Sequence, residues 1–90
     1  MLYRILTEDI NRREIVRIVA RNYDAFTVTP GERYWQGYTE SSLVIEIEVP
    51  NGPRALEHLE RVQRIAREIK ELNEQEAVMV QRFEVSAQLI

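Results

Sequence analysis

Apolar and polar residues follow one another along this chain in two rhythms. "LYRILT" (2–7) has a period of two, with Tyr3 and Ile5 on one face and Arg4 on the other, as in a half-buried strand. Over "EDINRREIVRIVARNY" (8–23) the period lengthens. Ile15, Val16, Ile18, Val19 and Tyr23 fall on one helical stripe, and Asn11 with Glu14 forms a capping pair at its start. "AFTVTP" (25–30) returns to strand spacing through Phe26 and Val28, and Pro30-Gly31 predicts a bend or bulge, because proline removes a ladder donor. "SSLVIEIEVP" (41–50) is the clearest strand: Leu43, Ile45, Ile47 and Val49 point one way, Glu46 and Glu48 the other. Asn51-Gly52-Pro53 turns the chain, with Asn51 as the cap, into a helix over 54–72 built on Leu56, Leu59, Val62, Ala66, Ile69 and Leu72. Asn73 marks its end. "EAVMVQRFEVSAQLI" (76–90) alternates again, with Met79, Phe83, Val85, Ala87 and Leu89 in phase as the buried set.

The order is β-α-β-β-α-β in one domain, 1–90, which predicts an α+β, ferredoxin-like sandwich: an antiparallel sheet with two helices on one face. Two helices leave the other face open. Val44, Val78 and Val80 read as apolar residues on that face, beside Arg4, Glu46, Glu48 and Arg82. The last strand also reads as long, about 14 residues where about 5–6 is usual. Both features predict a homo-oligomer in which Val44, Val78, Val80 and Trp35 meet a second copy.

Charge narrows the partners. The net charge of -3 gives no overall field favouring nucleic acid or an anionic membrane. With no cysteine, disulfides, thiolate metal sites and a Cys nucleophile are excluded. No run approaches a membrane span or the apolar core of a signal peptide, so a cytoplasmic protein is expected. The second helix carries Glu57–Arg61, Glu60–Arg64, Arg64–Glu68 and Arg67–Glu71 at i, i+4, a self-neutralised solvated face. The first presents Arg13, Arg17 and Arg21 at the same spacing, read as a solvent-exposed basic stripe.

Catalytic motifs are missing. His58 is the only histidine and reads as a surface helix residue; no metal or cofactor is implied. Ser41 and Ser42 lack a nucleophile elbow, and there is no glycine-rich phosphate loop. Glu46 and Glu48 share a strand face, but cross-strand pairing with Arg4 or Arg82 accounts for them better than acid–base work. The sequence therefore predicts a protein that is not an enzyme.

"GERYWQGYTE" (31–40) holds three large aromatics, Tyr34, Trp35 and Tyr38, between glycines. Tyr34-Trp35-Gln36-Gly37, then Glu40 and the strand 43–49, resembles the central hairpin of the divalent-cation-tolerance proteins, trimeric relatives of the PII signalling proteins. The likeness spans about 35–78 and includes Leu72 to Val78, where that family enters its last strand through a glutamate. The family's His-Pro-Tyr stretch is absent, so the resemblance implies topology and trimerisation and no metal. Phe26-Thr27-Val28, Gly31 to Trp35 and Gln75-Glu76-Ala77-Val78 also resemble short uncharacterised bacterial and phage proteins.

These readings combine into a small oligomeric, non-catalytic binding or regulatory protein that holds a nucleotide-like or anionic ligand at a subunit interface, as a phage-type signal-sequestering protein would. Tyr34, Trp35 or Tyr38 would stack on a ring, and Arg33, Arg82 or Arg4 would meet phosphate. The alternative is a structural protein–protein interaction module whose aromatics are interface anchors.

Overall fold

The computed structural model of the chain describes residues 1–50, 52–84, 88 and 90. Its elements run β1 (Leu2–Glu8), α1 (Arg12–Ala20), β2 (Thr27–Trp35), β3 (Tyr38–Glu48), α2 (Ala55–Leu72) and β4 (Met79–Phe83). The strands form one antiparallel sheet in the order β2-β3-β1-β4. This small α+β architecture is consistent with the ferredoxin-like sandwich expected. Among the described residues no helix is long and apolar enough to cross a membrane.

Register explains the core. Tyr3 lies opposite Ile47, Ile5 opposite Ile45 and Thr7 opposite Leu43, so alternate residues of β1 and β3 share one face. All six are buried. Ile15, Ile18 and Val19 of α1 and Val62, Ile65 and Ile69 of α2 belong to the same cluster, which places both helices against that face. Burying one such aliphatic side chain stabilises by roughly 1.5–3 kcal/mol.

Two local expectations are corrected. Pro30-Gly31 neither bends nor bulges the chain: β2 runs through it, with Pro30 opposite Leu43 and Gly31 opposite Ser42. β2 is an edge strand, where a proline's missing N–H can face the unpaired side without losing a ladder bond. Asn11 stands at the start of α1 but is left-handed, φ 58°, and makes no side-chain cap. Its amide instead donates to Asn73 Oδ1 at 2.9 Å. α2 opens at Arg54 without a side-chain cap, and Asn51 lies outside the described residues. Asn73 does end α2, and the left-handed residue there is Glu74, φ 51°.

The last strand differs most. β4 spans Met79–Phe83, beginning after the expected start at Glu76, and Val85, Ala87 and Leu89 of the expected strand lie outside the described residues. Its phase is also the reverse of the expectation. Val80 lies opposite buried Ile5, and Val78 and Val80 pack against the core. Met79 and Phe83 are exposed at 54% and 38%. "AVMVQRF" carries apolar residues in both phases, so alternation alone is ambiguous; pairing with β1 decides it.

Charges pair differently too. None of the four expected pairs along α2 closes among the described residues; Glu68 instead meets Arg21 of α1 at 2.9 Å. Arg17 meets Glu14 at 3.0 Å, so two of the three arginines in the α1 stripe are neutralised.

Candidate functional site

β1 ends at Glu8, opposite Ser42, while β3 and β2 continue to their turn at Gln36-Gly37. From Ser42 to Tyr38 the β2–β3 hairpin therefore projects beyond β1 by about 13 Å, at about 3.3 Å per residue. The turn fits a two-residue hairpin that follows the strand twist, because Gln36 and Gly37 both have positive φ, 48° and 81°.

Strand alternation divides the aromatic stretch. Trp35 lies directly opposite Tyr38, and Arg33 opposite Glu40, on the face the helices leave open. Tyr34 belongs to the other face, where its hydroxyl donates to Glu32 Oε2 at 2.7 Å. That bond favours the neutral phenol and raises the Tyr34 pKa above its usual value, with desolvation adding to the rise. The Arg33 guanidinium sits over the Trp35 ring, 5.8 Å from its centre. Tyr34, Trp35 and Tyr38 are 73%, 48% and 75% exposed, so none fills the core.

Between the projecting hairpin and the segment entering β4 lies a cleft of about 750 Å³. Its lining includes Glu8, Glu32, Arg33, Tyr34, Glu40 and Gln75, with Leu6, Val44 and Met79 supplying apolar surface. That volume is in the range of small-molecule sites, and a few polar groups over apolar lining is their usual composition. Three carboxylates and one guanidinium border it, so the cleft is net acidic while retaining one cationic corner.

One wall is tied down by side chains. The Gln75 amide donates to Thr7 Oγ1 at 2.6 Å, and its Oε1 accepts the Glu8 N–H at 3.2 Å. Thr7 is the buried polar residue of β1. Asn73 adds a second tie, donating to the Ile10 carbonyl at 2.9 Å. On the other side Asp9 N–H donates to the Ser41 carbonyl at 3.0 Å, holding the chain after β1 against the hairpin.

The predicted residues are thus divided. Arg33, Tyr34 and Val44 line the cleft, with Trp35 and Tyr38 beside them at the hairpin tip. Arg4 shares the open face but is engaged elsewhere, donating to Glu46 at 3.1 Å and lying over Phe83 at 4.9 Å. Arg82 is opposite Tyr3 and so takes the helix-side phase, apart from Arg4. Val78 and Val80 are packed against the core and are corrected as open-face contact residues; Val44 keeps its open-face position, beside Leu6. Glu8, Glu32, Glu40 and Gln75 were missed as site residues. Glu32 and Glu40 flank the aromatics within the same ten residues, which was the available signal; Glu8 and Gln75 are 67 positions apart and meet only through the fold.

A second polar cluster stands apart from the cleft. Tyr23 and His58 stack with ring centres 5.9 Å apart, and the Tyr23 hydroxyl meets His58 Nδ1 at 3.0 Å. Burial raises the Tyr23 phenol above its usual pKa, against the opposing effect of Arg61, which lies over the ring. His58 is accordingly half-buried and partnered rather than a free surface residue.

Chemically, the cleft suits a ligand with an apolar or aromatic part, positive charge for its carboxylates and a negative group for Arg33. No protein-family model and no curated protein matches the chain. Among solved structures it is similar to a phage SAM lyase in its apo state, with a TM-score of 0.63 and 23% identity over 88% of this chain and 75% of that one. It is also similar to a phage SAM lyase in complex with S-methyl-5'-thioadenosine, with a TM-score of 0.61 and 20% identity over 88% and 76%. At those identities the likeness establishes a shared fold. Both of these solved structures are SAM lyases, and that finding runs against the expectations of a non-catalytic binding protein and of a purely structural module.

Proposed function

We propose that the chain is a lyase acting on S-adenosylmethionine (SAM), with its site in the cleft between the β2–β3 hairpin and the segment entering β4. The observation that carries this reading is the likeness, across 88% of the chain, to a phage SAM lyase holding S-methyl-5'-thioadenosine. The cleft's own chemistry supports it. SAM carries a sulfonium, an ammonium and a carboxylate; Glu8, Glu32 and Glu40 complement the two cations and Arg33 the anion. Leu6, Val44 and Met79, which share the open face, offer an apolar bed for the adenosine.

The reaction that releases S-methyl-5'-thioadenosine breaks the bond between sulfur and the γ-carbon of the amino-acid side chain. The bonding pair stays on sulfur, which becomes a neutral thioether and needs no acid. A carboxylate oxygen of the same molecule attacks the γ-carbon and closes a five-membered lactone, so neither water nor a proton is consumed. Opposite charges disappear as that bond forms, so a cleft that removes water from the sulfonium and the carboxylate favours the step. Holding the chain curled, carboxylate against γ-carbon, supplies the remaining advantage. On this route the protein's work is positioning, and its carboxylates hold the ammonium and the sulfonium.

Purified protein incubated with SAM in ¹⁸O-water tests the reading by mass spectrometry. Release of S-methyl-5'-thioadenosine together with a lactone is expected. Label at the γ-hydroxyl would mean attack by water, and absence of the thioether product would sink the lyase reading.

The element and strand orders support the finer ferredoxin-like assignment, and exposed Trp35, Tyr38 and Met79 support a homo-oligomer at the cleft end. A trimer follows from the resemblance to the divalent-cation-tolerance proteins; light scattering that gives a monomer mass would exclude it.

A further inference from the structure

We infer that Arg33 is the residue that selects the amino-acid end of the substrate, binding its α-carboxylate with a guanidinium fixed in place by Trp35. This rests on the lyase reading. Arg33 lines the cleft, and it is the arginine among the described lining residues. It makes no ion pair within 4 Å among the described residues, whereas Arg4, Arg12, Arg17 and Arg21 are each matched to a carboxylate. What Arg33 does contact is the face of Trp35, at 5.8 Å. A planar guanidinium against an indole keeps its N–H edge free, and that edge matches the two oxygens of a carboxylate. The position suits the task. Arg33 lies opposite Glu40 on the neighbouring strand, so a cation and an anion face the cleft side by side. An α-amino acid presents the complementary pair, carboxylate and ammonium, on one carbon.

The consequence is a division of labour inside the cleft. The adenosine end depends on the apolar lining, and the amino-acid end depends on Arg33. S-methyl-5'-thioadenosine lacks the amino-acid end, whereas S-adenosylhomocysteine keeps it and has a neutral sulfur. The two compounds therefore separate the roles.

Calorimetric titration of the full chain and of Arg33→Gln with each compound tests this. Arg33→Gln is expected to weaken S-adenosylhomocysteine by about 10- to 100-fold, the usual scale for a charged hydrogen bond, and to leave the thioether's affinity unchanged. Arg33→Lys, which keeps the charge but loses the fork, is expected to recover part of the loss. With SAM, the same variant is expected to raise KM more than it lowers kcat. Arg33 is exposed, and an unchanged far-UV spectrum will establish that the variants fold. If Arg33→Gln weakens both compounds alike, or neither, the assignment is overturned and the lyase reading stands. If the wild-type chain binds neither compound, both fall together.

Discussion

At the hairpin tip, individual residues are fixed by their immediate neighbours rather than by the core. Tyr34 and Glu32 stand two apart on one strand face and share a proton donor and an acceptor at 2.7 Å. The raised phenol pKa has a definite sign. With Glu32 ionised, the neutral hydroxyl donates to the carboxylate below the ordinary phenol value, and the contact is lost as pH rises through the higher folded-state value. Absorbance titration of wild type minus Tyr34→Phe is expected to show Tyr34 ionising later than free tyrosine, and Glu32→Gln is expected to bring it back down. Ionisation at the ordinary value in wild type would mean the bond does not persist in solution. Gly37 is another residue-scale constraint. Its φ of 81° suits glycine alone at no cost, although a methyl group there would meet nothing within 4 Å. Gly37 was visible as a turn residue in the sequence, but the split of Tyr34 from Trp35 onto opposite faces was not, since Pro30-Gly31 disguised a continuous strand.

Between elements, the decisive joint is the one from α2 to β4. Gln75 satisfies the buried Thr7 hydroxyl and the Glu8 N–H together, and Asn73 bonds Asn11 and the Ile10 carbonyl. Thus the chain that enters β4 is fastened to the chain that leaves β1, and Glu8 and Gln75 become neighbours in the cleft wall. Gln75→Ala removes the acceptor of the Glu8 N–H and the donor to Thr7 Oγ1, whose own hydrogen still goes to the Glu8 carbonyl at 3.3 Å. Unsatisfied buried groups cost about 1–3 kcal/mol each, and Glu8 N–H is only partly buried, so a loss of about 1–3 kcal/mol is expected in urea unfolding. The cleft should lose order with it, seen as weaker binding of S-methyl-5'-thioadenosine. A variant as stable as wild type would show that solvent replaces Gln75. The strands and helices were legible from periodicity because β1, β3 and α1 bury one phase only. β4 was not, because valines at 78 and 80 compete with methionine and phenylalanine at 79 and 83, and only the register opposite Ile5 chooses between them.

Across the whole molecule, stability and chemistry occupy different ends. Among the described residues the core is a dozen buried side chains around Tyr3, Ile5, Ile45 and Ile65, and a domain of this size has little stability to spare. Ile45→Ala is expected to cost about 2–5 kcal/mol. Trp35→Ala is expected to cost less than about 1 kcal/mol, as a half-exposed cross-strand pair, yet to disturb Arg33. Urea unfolding of both variants checks the contrast; equal losses would mean that the hairpin tip is part of the folding core. This division explains what a single sequence could and could not disclose. The core writes itself as periodicity, whereas the site is assembled from Glu8, Glu32, Arg33, Glu40 and Gln75, scattered residues of ordinary surface type that no spacing connects. The projecting hairpin also has a mechanical consequence. Three strands are paired at its base, but only two beyond Ser42, and a two-stranded ribbon twists more readily than the sheet from which it grows. A change in the width of the cleft would therefore come from flexure of a cantilever whose root is the core itself, with no hinge required.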